Sequence, residues 1–202
     1  MVIYWINSSK RTPISALIYG GGSIENRSRF AIETVRAVIA AIGKDKVGVR
    51  LSPWSTYLSM RMTDPVPQFT HLIQQLSALG IAYLHLIEPR IGGNSTVESD
   101  EAESSHLFLE AWGNERSVIV AGGYTGESAL KALAVGGAYE GRNVAIAFGR
   151  HFVSNPDLVF RIKNGVGLAP YDRKTFYEIG SEKGYTDYEY SKEFRDLIGG
   201  QA

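Results

Sequence analysis

Ala145-Ile146-Ala147-Phe148-Gly149-Arg150 runs directly into His151-Phe152-Val153-Ser154-Asn155-Pro156-Asp157. The first segment reads as a buried strand closing on a glycine-arginine turn, and the second as a short helix opened by Asn155 and Pro156. At Gly149 the missing side chain lets a ligand approach the backbone. Arg150 adds a permanent cation whose planar donor fork suits phosphate. In parallel α/β folds, strands whose C-terminal ends open into such turns are where phosphorylated ligands bind.

Upstream, short apolar runs alternate with helix-like periodic segments. Gly20-Gly21-Gly22 is a turn feeding a helix, with Ser23 as N-cap and Ala31, Val35, Val38 and Ile42 on one face. The run lacks a preceding strand and the spacing of a dinucleotide loop. Val47–Leu51 reads as a strand stopped by Ser52-Pro53. A helix then starts near Asp64-Pro65, with Phe69, Leu72, Ile73, Leu76 and Leu79 as its stripe and Gly80 as its C-terminal cap. Tyr83–Ile87 is the next strand, followed by a polar loop and a short helix around Leu107–Trp112. Ser117–Ala121 is a strand closed by Gly122-Gly123, Thr125 caps a helix through Leu133, and Val144–Phe148 is the last strand. The helix opened by Asn155 and Pro156 ends near Gly165. Beyond Leu168 the chain is rich in tyrosine and charge and lacks strong periodicity. Four short apolar strands, each followed by a helix, predict an α/β fold with a parallel sheet.

The balance of 44% hydrophobic and 21% charged residues in 202 is that of an ordinary globular domain. Zero net charge gives no electrostatic case for nucleic acid or an anionic membrane as partner. Without cysteine there are no disulfides or thiolate metal sites. His71, His85, His106 and His151 show no ligand spacing, so no metal is expected. The apolar start Met1–Ile6 is too short for a signal core, and no run approaches the ~20 apolar residues of a membrane span. The expectation is a cytoplasmic protein. Ser52, Ser55 and Ser59 have no triad partners, and Glu98 to Glu103 read as a solvated acidic loop.

Several sequence words occur in a telling order. They are Gly21-Gly22-Ser23-Ile24-Glu25-Asn26-Arg27, Val49-Arg50-Leu51-Ser52-Pro53, Leu86-Ile87-Glu88-Pro89-Arg90 and Ala121-Gly122-Gly123-Tyr124. Phe148-Gly149-Arg150, Ser154-Asn155-Pro156-Asp157-Leu158 and Pro170-Tyr171-Asp172-Arg173 follow. Over roughly residues 20–190 the chain thereby resembles the old yellow enzyme family of flavin-dependent ene-reductases, its fungal members in particular. The resemblance implies a TIM (β/α)8 barrel, typically about 250 residues, of which these strands would be the fifth to eighth. The implied fold is therefore the C-terminal half of the barrel, with the N-terminal half missing. Its organisation would be a divergent segment 1–20, a partial flavin-binding barrel 21–167, and a tail 168–202 packing on it.

The same resemblance implies FMN as cofactor, NADPH as reductant, and an activated alkene (an enal or enone) as substrate, in fungal secondary metabolism or detoxification. It puts Arg50 beside the flavin ring, where a bland ion pair is the alternative. Gly122, Gly123, Gly149 and Arg150 fall around the flavin phosphate, where two tight turns without ligand are the alternative. The family often carries asparagine at the position of Gly123. Tyr57 and Tyr177 match positions lining the substrate pocket, or are simple packing residues. The family's carbonyl-holding His/Asn pair and its proton-donating tyrosine lie on strands one to four and have no counterpart in residues 1–20. No catalytic residue is assigned, and the chain as encoded is expected to be truncated and weak or inactive. In place of the family's Arg-x-Asp-x-Tyr-Gly-Gly-Ser word stands the longer Lys10-Arg11-Thr12-Pro13-Ile14-Ser15-Ala16-Leu17-Ile18-Tyr19-Gly20. The competing expectation is a non-enzymatic half-barrel that binds phosphate ligands or pairs with itself as a homodimer, because four strands leave two open edges.

Overall fold

The computed structural model describes residues 2–4, 22–56, 61–92, 95–96 and 103–199. They fall into two compact units, Met1–Ala147 and Phe148–Ala202.

The first unit is built on a parallel sheet of five strands: β1 (Val2–Tyr4), β2 (Gly48–Leu51), β3 (Tyr83–Ile87), β6 (Val118–Ala121) and β7 (Val144–Ala147). A separate antiparallel pair, β4 (Ile91–Gly92) and β5 (Ser95–Thr96), interrupts the polar loop after β3. The four expected strands are present, and β1 adds a fifth that the sequence reading missed. It pairs in parallel with β2, Tyr4 opposite Arg50. Spatial order follows chain order without reversal, the winding of a barrel rather than of a doubly wound sheet.

Strand pleating sorts the side chains. Rows formed by Val49, Leu84 and Val118, and by Leu51, Leu86 and Val120, are almost wholly buried. Arg50, His85 and Ile119 share the opposite parity and are only partly buried. Each fully buried Leu or Val contributes about 1.5–3 kcal/mol.

α1 (Ile24–Ile42) begins where Ser23 Oγ accepts the Asn26 N–H, and it stops at Gly43 (φ +88°). Its buried face is Ser28, Ala31, Ile32 and Val35, rather than the expected Ala31, Val35, Val38 and Ile42. Val38 is half-buried and Ile42 exposed, so the apolar stripe belongs to the first half of the helix. Polar Ser28 is inside because Gln68 of α2 (Val66–Leu79) donates to its hydroxyl at 2.8 Å. α2 buries Phe69, Leu72, Ile73 and Leu76 as expected, leaves Leu79 half-buried, and closes at left-handed Gly80.

After β5 a 3-10 turn, Ser105–Phe108, leads into α3 (Leu109–Trp112). Phe108 and Trp112 have no exposed surface. Trp54 and Phe69 pack on the Phe108 ring, and Trp112 donates its indole N–H to Ser117 O. Glu103, read as solvated, forms a two-pronged ion pair with Arg61. α4 (Gly126–Leu133) opens with the expected Thr125 cap, strengthened by a reciprocal bond with Ser128.

The second unit differs from expectation at its first helix. Residues Arg150–Ser154 already form α5, and Asn155 terminates it instead of capping the next. Asn155 is fully buried, its amide group donating to His151 O and Ala169 O and accepting Ala169 N–H. The side chain prefers these partners because they close a loop 14 residues away. α6 (Leu158–Asn164) follows and ends at left-handed Gly165. The terminal region contains a further helix, α7 (Lys192–Gly199). Buried Asp157 ties these pieces together: it accepts from Arg161 at 2.7 Å, and from the Ser191 N–H and hydroxyl at 2.9 and 2.5 Å.

Burial by itself raises the Asp157 pKa. The Ser191 hydroxyl, Arg161 and the Ser191 N–H outweigh it and bring it down to about 2 from 3.8. A depressed carboxylate stabilises the fold fully above its unfolded pKa, and that contribution is lost as pH falls through the folded value. In the intact chain, Asp157→Asn should therefore flatten the acid limb of the stability curve between about 3.8 and about 2. It should also cost roughly 3–5 kcal/mol at neutral pH by leaving buried Arg161 unpaired. An unchanged acid limb in urea titrations would reject this role. Phe108→Ala should cost about 3–5 kcal/mol by opening the aromatic core, read as a lower urea midpoint, and a wild-type midpoint would contradict it.

Candidate functional site

Parallel, in-register strands bring their C-terminal ends to one edge of the first unit's sheet, and three predicted positions lie there. Arg50 is the penultimate residue of β2, and Gly122 and Gly123 leave β6, two strand spacings or about 10 Å away. Gly122 (φ +143°) and Gly123 (φ +71°) both adopt backbone that L side chains rarely enter. At Gly122 a Cβ would also stand 2.6 Å from Glu88 Cβ, so glycine is obligatory twice over. Among the described residues no backbone partner accepts from the N–H groups of Gly122, Gly123 or Tyr124. Successive amides of this kind, in a turn of positive φ, form a concavity suited to an anion.

Arg50 faces His85 across the β2–β3 register. Burial, and then the Arg50 guanidinium, pull the His85 pKa down to about 4. The imidazole is thus neutral at pH 7, and its buried Nε2 has no hydrogen-bond partner among the described residues. The pair therefore carries one positive charge rather than two.

In the second unit, Gly149 precedes α5 with φ −99° and ψ −79°. A Cβ there would meet no atom within 4 Å, so nothing in the fold requires glycine. Arg150 lies over the Tyr171 ring, 5.9 Å from its centroid, and His151 meets the same ring edge-on at 5.4 Å. Burial, then Arg150, lowers the His151 pKa. Arg150 and His151 thus share one tyrosine ring.

Tyr57 lies outside the described residues. Tyr177 is exposed and, alone among non-glycine described residues, has left-handed backbone (φ +64°). Its N–H donates to the Tyr185 hydroxyl at 3.1 Å, and its ring meets Phe176 edge-on.

Two features escaped sequence reading. Tyr171 was quoted only as part of a word, with no signal tying it to Arg150. Glu88 was too, yet it is buried and hydrogen-bonded to Tyr124 and Tyr139. A carboxylate right after an apolar strand was the available signal. Among the described residues there is no cluster of three or more metal-ligating side chains, and no helix is long and apolar enough to cross a membrane.

Residues 18–168 match the model of the NADH:flavin oxidoreductase / NADH oxidase family. The chain is 49% identical over 178 residues to chanoclavine-I aldehyde reductase fgaOx3 of Penicillium roqueforti (strain FM164), covering 88% of this chain and 47% of that protein. It is 48% identical to the probable inactive reductase easA of Epichloe festucae var. lolii, over 86% of this chain and 46% of that one. Among solved structures it is similar to morphinone reductase, with TM-score 0.72 and 35% identity, covering 88% of this chain and 45% of the other. The chain spans about half the length of the curated relatives it matches. The architecture is that of the C-terminal half of a TIM barrel. Family model, fungal relatives and fold agree: the chain belongs to the NADH:flavin oxidoreductase / NADH oxidase family, the old yellow enzymes.

Proposed function

We propose that this chain carries the flavin-phosphate half of an FMN-dependent oxidoreductase that uses NADPH to reduce a conjugated enal or enone. The observation that carries the reading is the run of amides at Gly122, Gly123 and Tyr124 with no backbone acceptor among the described residues, at the same sheet edge as Arg50. These residues fit the group: backbone donors for phosphate oxygens, and a permanent cation for a ring that becomes anionic on reduction. Within the second unit, Gly149 and Arg150 have the chemistry for a phosphate group too, an open backbone position and a planar cation over Tyr171. Bound there, FMN would supply hydride-transfer chemistry between a nicotinamide and an activated alkene.

The chain's own residues hold and orient. Arg50 supplies fixed positive charge without a proton to lose, and His85, its pKa lowered to about 4, stays neutral beside it. By the family resemblance, Tyr177, with its exposed ring and left-handed backbone, and Tyr57 are the candidates for contact with substrate. No residue here is assigned to polarise the carbonyl or protonate the α-carbon, so the chain by itself is expected to bind flavin with weak or no turnover. One relative is named an aldehyde reductase and another a probable inactive reductase.

A second reading, self-association as a homodimer, is favoured by edge strand β7. There Ala145 is exposed and Val144, Ile146 and Ala147 are half-buried, with Leu130, Leu133 and Val135 exposed in the same unit. Such an edge invites pairing.

Purified chain should quench added FMN fluorescence, and Arg150→Ala should weaken that binding about 10- to 100-fold, the worth of one charge-assisted contact. Riboflavin binding should be little changed. Equal loss for both ligands would remove Arg150 from the phosphate. With FMN bound, NADPH oxidation in the presence of an α,β-unsaturated aldehyde should be slow or absent, and fast turnover would show that the missing groups are supplied. Light scattering reading a monomer across micromolar concentrations would end the dimer reading.

A further inference from the structure

Glu88 follows β3 directly and is buried. Its carboxylate accepts from the Tyr139 hydroxyl, from the Tyr124 hydroxyl at 3.3 Å, and from the Ser105 N–H at 3.1 Å. Its own N–H donates to Ala121 O at 2.8 Å, at the last residue of β6. One residue thus touches the exits of two neighbouring strands, the start of the 3-10 turn, and the connection between α4 and β7.

That connection is shaped to deliver Tyr139, which is 2% exposed. Tyr139 N–H donates to Ala132 O and Gly137 N–H to Ala134 O. At Gly137 a Cβ would lie 2.4 Å from Lys131 O, so no other residue fits the path. Burial, then the Glu88 charge, raises the Tyr124 pKa to about 12 and pushes Tyr139 up as well. Both phenols remain donors throughout the physiological range. Gly122 packs against the residue they hold, its would-be Cβ 2.6 Å from Glu88 Cβ and 3.0 Å from Glu88 N.

We propose that Glu88 is a positioning residue for the anion-binding turn: gripped by Tyr139, Tyr124 and the Ser105 amide, it sets the backbone of Gly122 and Gly123 and so the affinity for a ligand's phosphate, without touching the ligand. The proposal rests on the phosphate reading of that turn given above. It separates two properties that a merely structural residue would move together, namely recognition of the phosphate and recognition of the ring that bears it.

The test compares FMN with riboflavin, which lacks the phosphate, by fluorescence titration of the intact chain, its Glu88→Gln variant and its milder Tyr139→Phe variant. Urea midpoints are measured alongside. Tyr139→Phe should weaken FMN binding about fivefold, the scale of one hydrogen bond, and Glu88→Gln by more, with riboflavin affinity unchanged in both. Proportional loss for the two ligands, or unchanged FMN affinity with a lowered urea midpoint, would overturn the proposal and leave Glu88 a structural residue. If the unaltered chain binds riboflavin as tightly as FMN, the phosphate reading falls, and the proposal with it. Should Glu88→Gln fail to fold, the Tyr139→Phe comparison decides alone.

Discussion

The structure depends on one parallel register, held by burial of a single face of the sheet. Leu84, Leu86 and Val120 have no exposed surface, and Val49, Leu51 and Val118 have almost none. A slip of one residue in any of these strands would turn its apolar set to the opposite face. That cost fixes Arg50 opposite His85, and it brings the ends of β2, β3 and β6 to a common edge. In the first unit the candidate site is a consequence of this packing, since Arg50 is brought to the Gly122–Gly123 turn only by the pairing of the strands between them.

Charge is arranged economically around this frame. Arg50 and Arg150 each stand by a histidine whose pKa burial and then the guanidinium lower, His85 to about 4. Acidic groups are handled differently. Asp157 and Glu88 are buried and ringed by donors, and each ties together chain segments far apart in sequence: Arg161 and Ser191 for one, Ser105, Tyr124 and Tyr139 for the other. Buried carboxylates of this sort tolerate no loss of partners, because an unpaired charge in a dry interior is expensive. Backbone strain is likewise local, confined among non-glycine described residues to Tyr177.

Much of the fold was legible in sequence because local rules and tertiary packing agreed. Gly80 and Gly165 ended their helices as left-handed caps, Thr125 capped α4, and the four core strands fell within a residue of their expected limits. Where they disagreed, a distant partner won. Asn155 is a good N-cap residue by local preference, yet its side chain serves Ala169 instead, and the helix begins at Arg150. On α1 the expected stripe ran too far toward the C-terminus, because the contact that decides the buried face is the one between Ser28 and Gln68. Strand β1 was invisible for a related reason: its assignment depends on pairing with β2, 46 residues away in register.

By itself the amino-acid sequence determined the α/β class, the family, and the identity of the arginines and glycines at the strand exits. Those follow from short-range periodicity, turn chemistry and a series of words, all of which are read along the chain. Only the tertiary structure decided which amides have no backbone acceptor among the described residues, which ring underlies Arg150, and how Glu88 joins Tyr124 to Tyr139. Those are relations between segments up to 51 residues apart, set by the register of the sheet and the burial of polar groups, and no local pattern encodes them.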